Sequence, residues 1–376
     1  MARTLAGRLP RLGQDLRSLE TPTLLFRNEI LRRNLRSFAR RAADNDIVIR
    51  PHVKPHRIPE IARWQTAESQ AGIMCQKLSL AEVMVRNGID DVVVVCPIVS
   101  EQKLRRLAWL TNAATSFAVV VDGKDNLDIL EHGMERFDGS VEVVVEVDVG
   151  GGRTGMAPDD PIETLVEQIR TASALDFGGL LAYDNHVLYE SETRSEFVEK
   201  ADRVIETLER IADRVAEVVD DAPTVRTGTT GTSSYMAQHD VVTEINPGRY
   251  LVNDTSLVEF VDEIRLADCA ARVLSTVVSR PNTDTAVVDV GAKTVSWMRH
   301  HLPECVDDPD VSFVDIASEH GVLDVGDSDS PPSVGDKLEF VVGNIDGAIN
   351  LQDHVVGIEN DKVSHVWNVP TRGQTR

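Results

Sequence analysis

The chain is poor in lysine. Of its 376 residues, 39 are Lys or Arg, and only eight of these are lysines, at 54, 77, 103, 124, 200, 293, 337 and 362. Asp and Glu number 61, so the formal charge is 39 − 61 = −22. So little basic charge excludes a phosphate-backbone binder and a protein that docks on an anionic membrane. Cysteine is also scarce. Cys75, Cys96, Cys269 and Cys305 stand far apart with no C-x-x-C spacing, which argues against a zinc ribbon or dithiol centre and fits a reduced, cytoplasmic compartment. No apolar run is long enough to span a bilayer, and the opening MARTLAGRLPRLGQDL lacks the apolar core of a secretory signal. Aromatics make up only 5 %, yet the hydrophobic fraction of 42 % is that of a folded protein. The acid excess has two readings: a halophilic protein, whose self-repulsion is screened over ~3 Å at 1 M salt, or an ordinary acidic cytosolic one.

What the sequence does have is a slow rhythm. Short β-branched runs begin near 48, 70, 91, 117, 142, 177, 223 and 244, and continuous apolar runs of this kind read as strands buried on both faces. Helix-like text fills most gaps. Residues 28–44 open on an Asn cap, 79–87 open with S-x-x-E as a capping box, and 190–219 read as one long amphipathic helix or two. Eight such units predict an α/β fold of the (β/α)8 TIM-barrel kind, with an open doubly wound sheet as the alternative. From about 255 the text turns to short alternating strands separated by turn clusters such as RPNTD, GDSDSPPS and ENDK. The expected division is an N-terminal segment 1–24 packing with the β domain, a barrel 25–255 and a C-terminal mainly-β domain 256–376.

Barrel active sites gather where strands end. After the first run comes Arg50-Pro51-His52-Val53-Lys54-Pro55-His56. In a lysine-poor chain, a lysine at the end of a buried strand reads as a desolvated amine able to form a Schiff base. The bland reading is a strand-end lysine reaching water. After the seventh run, Thr227-Gly228-Thr229-Thr230-Gly231-Thr232 offers backbone N–H groups and hydroxyls suited to a phosphate. A reactive lysine and a phosphate cradle in one barrel point to pyridoxal 5′-phosphate (PLP), with Arg153 and Tyr183 placed to hydrogen-bond its ring. Their bland readings are a surface ion pair and a core aromatic.

These residues carry a resemblance. Pro51-His52-Val53-Lys54-Pro55-His56 resembles the P-H-V-K-T-H-K signature of the D-threonine aldolase / D-serine dehydratase family of alanine racemase-like PLP enzymes. The likeness extends through Thr21-Pro22, Gly72-Ile73, Asp148–Gly155, Ala182-Tyr183-Asp184 with His186, Glu244 with Pro247-Gly248 and Tyr250, Asp289-x-Gly291-x-Lys293, and Ser318-Glu319-His320-Gly321. The resemblance implies that Lys54 holds PLP and that Gly228, Thr229, Thr230, Gly248, Arg249 and Tyr250 hold its phosphate. It also implies a homodimer.

The family's metal motif, H-x-C or H-x-D followed by N-L, stands here as Asn344-Ile345-Asp346 with Asn350-Leu351. Positions 344 and 346 read as i, i+2 on a strand, which puts them on one face. Carboxylate and amide oxygens suit Mn²⁺ or Mg²⁺ over Zn²⁺; the alternative is that no metal binds. The resemblance implies a metal-assisted retro-aldol cleavage of 3-hydroxy D-amino acids to glycine and an aldehyde, with His52 or His56 as base. The rivals are a dehydratase giving a 2-oxo acid and ammonia, then a racemase or a non-catalytic PLP carrier.

Overall fold

The computed structural model describes residues 9–69 and 71–376. Residues 1–8 of the expected N-terminal segment, and Gln70 in the second apolar run, lie outside the described residues. The chain divides into two compact units. One comprises Ser37–Lys54, Pro59–Gly248 and Gln374–Arg376; the other comprises the residues up to Arg36, Pro55–Ile58 and Arg249–Gly373.

Strand β1 (Thr23–Arg27) belongs to the second unit. The first unit holds β2 (Val48–Ile49), β3 (Ile73–Cys75), β4 (Asp91–Val94), β5 (Ser116–Val121), β6 (Val141–Val147), β7 (Leu175–Ala182), β8 (Val225–Thr227) and β9 (Glu244–Ile245). Each apolar run supplies one of these strands. Every ladder between them is parallel, in the order β2-β9-β8-β7-β6-β5-β4-β3. The ring closes between β2 and β3 just past the end of β2. His52 bridges to Met74, with Met74 N–H donating to Pro51 O (2.9 Å) and Val53 N–H to Met74 O (3.0 Å). The fold is thus an eight-stranded parallel barrel, and the open-sheet alternative is excluded by that closure.

The barrel interior has two characters. Met74, Val93, Ala118, Val120, Val144 and Leu181 form an apolar cluster on β3–β7. On β2, β8 and β9 the buried inward residues are charged. Glu244, 4 % exposed, sits between Arg50 and Arg226, each with Nε at 3.1 Å, and Arg50 also reaches Asp91 at 2.6 Å. Two guanidiniums and two carboxylates balance, as buried charges must.

The helices correct the sequence reading in detail. Residues 190–219 hold a single long helix, Arg194–Val219, capped by Thr193, whose hydroxyl accepts from Glu196 N. The S-x-x-E box at Ser79 does not form. The helix Leu78–Arg86 starts at a Lys77 cap with no side-chain bond, and Ser79 Oγ donates to Gln374 O (2.9 Å). Its hydroxyl is taken by a backbone carbonyl near the chain end. Asn28 lies within the helix Asn28–Asp44, and its amide donates to Ser364 Oγ (2.8 Å) in place of capping.

The second unit adds β10 (Ala271–Ser279), β11 (Thr285–Val288), β12 (Glu304–Cys305), β13 (Ser312–Ile316), β14 (Gly321–Asp324), β15 (Lys337–Val341), β16 (His354–Glu359) and β17 (Lys362–Asn368). Strands β10-β11-β14-β13-β12-β15 close antiparallel on themselves. The first half of β10 also pairs with β1, which runs parallel to β16. Asn360 and Asp361, with φ 51° and 54°, turn the β16–β17 hairpin where ENDK marks it. No helix among the described residues is long and apolar enough to cross a membrane.

Candidate active site

A recess lined by polar and apolar side chains opens at the C-terminal ends of the barrel strands, where such barrels carry their sites. Most of the strands bring a residue at or just past their C-terminal end. Lys54 and His52 follow β2, Gln76 follows β3, Glu146 ends the inward face of β6, Tyr183 and Asp184 follow β7, Gly228 and Thr229 follow β8, and Asn246 follows β9.

His52 is held from both sides. Its Nδ1 accepts from Lys54 N–H (3.2 Å), and Nε2 lies 3.3 Å from Gln76 Oε1, which fixes Nε2 as the protonated nitrogen. The ring therefore sets the backbone that carries Lys54. His56 belongs to the other compact unit. It is fully buried, and its Nδ1 accepts from Ile58 N–H (3.1 Å).

Two carboxyls face the recess. Glu146 is 2 % exposed; Oε1 accepts from Thr154 Oγ1 (2.9 Å), and Oε2 is buried without a partner. Burial pushes its pKa up, opposed by the Thr154 hydroxyl and the Arg153 charge. Asp184 is fully buried, and burial pushes its carboxyl up to about 6 against donors from the Thr232 hydroxyl and the N–H groups of Thr229 and Gly228. Thr229 N–H reaches Asp184 Oδ1 at 3.3 Å. The start of the Thr/Gly loop is thus occupied by a carboxylate. Gly228 is required there: its φ is +82°, and a Cβ would meet Ile245 at 2.9 Å.

Of the other expected site residues, Arg153 stacks its guanidinium 4.3 Å over the Tyr183 ring, which is 38 % exposed, so these two form a cation–π pair at the rim. Thr230 continues the loop before the short helix Ser233–Met236. Gly248 ends the Pro59–Gly248 segment of the first unit. Arg249 and Tyr250 open the Arg249–Gly373 segment of the second, where Arg249 donates to Asp254 (3.0 Å) and Ser256 (2.6 Å) and Tyr250 is buried.

Glu146, Asp184, Gln76 and Asn246 were not singled out as site residues by sequence reasoning. Strand parity would have found three of them. Met74 and Gln76, Val144 and Glu146, and Glu244 and Asn246 are each two apart, so each pair shares the inward face.

The recess fits PLP. It offers an amine from Lys54, and four buried polar atoms on its wall lack partners among the described residues: Glu146 Oε2, Asp184 Oδ2, Thr227 Oγ1 and Asn246 Oδ1. Buried polar atoms left so point to a polar occupant. The metal expectation fares differently. Asn344 and Asp346 do not share a strand face, because Asn344 is the N-cap of the short helix Ile345–Ala348, with Oδ1 accepting from Gly347 N (2.9 Å). Asp346 lies in that helix in the field of the Arg57 guanidinium. An amide oxygen already capping a helix and one carboxylate beside a cation do not by themselves make a divalent-ion site.

Comparison with known proteins follows the same lines. Residues 28–256 match the alanine racemase N-terminal domain, and residues 270–358 match the putative serine dehydratase domain. The D-threonine aldolase of Arthrobacter sp. is 31 % identical over 367 residues, covering 97 % of this chain and 96 % of that protein. The D-threo-3-hydroxyaspartate dehydratase of Delftia sp. (strain HT23) is 25 % identical over 290 residues, 76 % of this chain and 74 % of that one. The crystal structure of D-threonine aldolase from Filomicrobium marinum superposes with a TM-score of 0.91 at 29 % identity, covering 97 % of this chain and 99 % of that one.

Proposed function

Because the chain belongs to the D-threonine aldolase / D-serine dehydratase family of alanine racemase-like, PLP-dependent lyases, we propose that it cleaves 3-hydroxy D-amino acids to glycine and an aldehyde. The observation that carries this reading is a lysine backed by a histidine in a recess with two buried carboxyls. The higher identity to an aldolase than to a dehydratase supports it further.

PLP, when bound, supplies an electron sink for the α-carbon of an amino acid. The chain's own residues do the rest. Lys54 is the amine that holds the cofactor, and His52 fixes the backbone from which it projects. Arg153 and Tyr183 stand at the rim as a cationic, aromatic edge for an anionic ligand. Breaking the Cα–Cβ bond requires loss of the 3-hydroxyl proton. Glu146 suits that step, since its Oε2 is buried without a partner and burial raises its carboxyl above the ordinary value. His52 has both ring nitrogens engaged, so it acts here on position. No step runs through a metal at Asn344 and Asp346; an ion there would need most of its ligands from solvent or substrate. Gly228, Thr229, Thr230, Gly248, Arg249 and Tyr250 keep the phosphate role that the family motif gives them. We also read the chain as a cytoplasmic homodimer suited to high salt.

The match of residues 270–358 to a putative serine dehydratase domain favours dehydration as the second reading. One assay separates them. Protein with PLP and a panel of D-3-hydroxy amino acids, in high salt with and without Mn²⁺, should yield glycine and aldehyde. A 2-oxo acid with ammonia would replace the aldolase reading by the dehydratase, and no turnover of any of them would remove both.

A further inference from the structure

A second cluster of ligand-type side chains lies away from the recess. Glu259, on the helix Thr255–Phe260, faces His300 and His301 on the loop before β12. One donor atom from each lies within 4.8 Å of the others. The carboxylate is 2.9 Å from His301 Nδ1 and 3.2 Å from His300 Nε2. A Zn²⁺-class ion binds such atoms at ~2.0–2.2 Å, which in a tetrahedral shell sets neighbouring donors about 3.3–3.6 Å apart. The two carboxylate–imidazole separations lie within a few tenths of an ångström of that spacing, so small side-chain shifts admit the ion.

The two histidines are consecutive, and consecutive side chains in extended backbone point to opposite sides. Here they converge. His301 N–H donates to Met298 O (3.1 Å) around Arg299 at φ 57°, and the two rings come to 4.4 Å between centroids. His301 is 4 % exposed, with the Phe260 ring edge-on at 5.3 Å. Its Nε2 has no hydrogen-bond partner among the described residues. The polar engagement of this buried ring is therefore through Nδ1, toward Glu259. Glu259 and His300 are exposed, so an ion has an open approach.

We propose that Glu259, His300 and His301 form a binding site for a late first-row divalent cation of the Zn²⁺ class. Two imidazoles and one carboxylate suit such borderline ions over Mg²⁺ or Ca²⁺. The site is separate from Asn344 and Asp346, and it stands whether or not the lyase reading does. An ion there ties the helix Thr255–Phe260 to the 296–303 loop. That loop backs the Asn344 segment directly: Ser296 O accepts from Asn344 N (2.8 Å), and Gly343 leaves no room for a Cβ against His301 O.

The test is equilibrium dialysis of Zn²⁺ against metal-stripped, PLP-loaded protein, followed by thermal unfolding with and without the ion. The wild type should bind one Zn²⁺ per chain saturably, and the ion should raise its unfolding temperature. His300→Ala changes an exposed side chain, so the fold should survive it. It should weaken binding by at least the ~10–100-fold that losing even an outer partner of a metal ligand costs. Glu259→Gln should weaken it likewise, while Asp346→Asn should leave it unchanged. Absence of saturable binding, or binding that ignores His300→Ala and Glu259→Gln, overturns the proposal. Binding lost only in Asp346→Asn also overturns it and moves the metal to the Asn344 position.

Discussion

The backbone N–H of Lys54 donates to Nδ1 of His52 at 3.2 Å, while the far nitrogen of the same ring meets Gln76 Oε1 at 3.3 Å. A lysine, a histidine and a glutamine from two adjoining strand ends are thus locked in one chain of hydrogen bonds. This makes His52 a positioning residue. His52→Ala should retain cofactor binding but lower kcat by about 10²-fold, the size of loss a ~1 Å misplacement causes. The check is kcat against pH. A profile of unchanged shape supports positioning, whereas loss of one limb would make His52 the base.

Lys54→Ala should abolish both turnover and the visible absorption of bound cofactor. Borohydride reduction followed by peptide mapping should place the label on the 51–57 segment of the wild type. A label on any other lysine removes Lys54 from its role.

The Arg50–Glu244–Arg226 cluster underlies the recess through Asn246, whose amide donates to Glu244 Oε1 (3.0 Å). Glu244→Ala leaves two buried guanidiniums short of a partner. Removing one member of a buried ion pair costs ~3–5 kcal/mol, and urea unfolding should show a loss of that order. A change below about 1 kcal/mol, the range of exposed pairs, would mean that water reaches the cluster.

Asp184 gives stability a pH dependence of known sign. Its carboxyl is raised from 3.8 to about 6 in the folded state, so between these values the folded chain holds the extra proton. Stability therefore falls as pH rises from about 3.8 to about 6. The stability of the wild type relative to Asp184→Asn should decline across that window and level off above it. Denaturation at several pH values checks this, and a flat difference would show that Asp184 stays ionised throughout.

The −22 charge should make the fold depend on screening. Thermal unfolding in dilute buffer and in molar KCl should show the higher midpoint in salt. Equal midpoints would leave the acidity as an ordinary surface property.

Much of this was legible in the chain. All eight barrel strands are marked because parallel strands buried on both faces need uninterrupted apolar text, as in Val92–Val94 and Val143–Val145. Lys54 stood out because lysine is rare and a buried strand ends there. Partnerships were not legible. Asp184 takes the amides of Gly228 and Thr229, Ser79 turns to Gln374, and Asn344 spends its oxygen on a helix cap. Each choice is made between groups far apart or bent by the backbone, and residue type alone names the donor without naming its acceptor. Strands β12–β14 are short and partly exposed, so they carry too little alternation to be marked one by one in the sequence.

The ring of eight strands is joined at His52 and Met74 by two backbone hydrogen bonds, from residues directly flanking the lysine segment. That makes the joint a clasp. A ligand gripping Lys54 pulls on one side of the clasp, and contacts to Gln76 pull on the other. Whatever binds only the closed ring adds its binding energy to holding it closed.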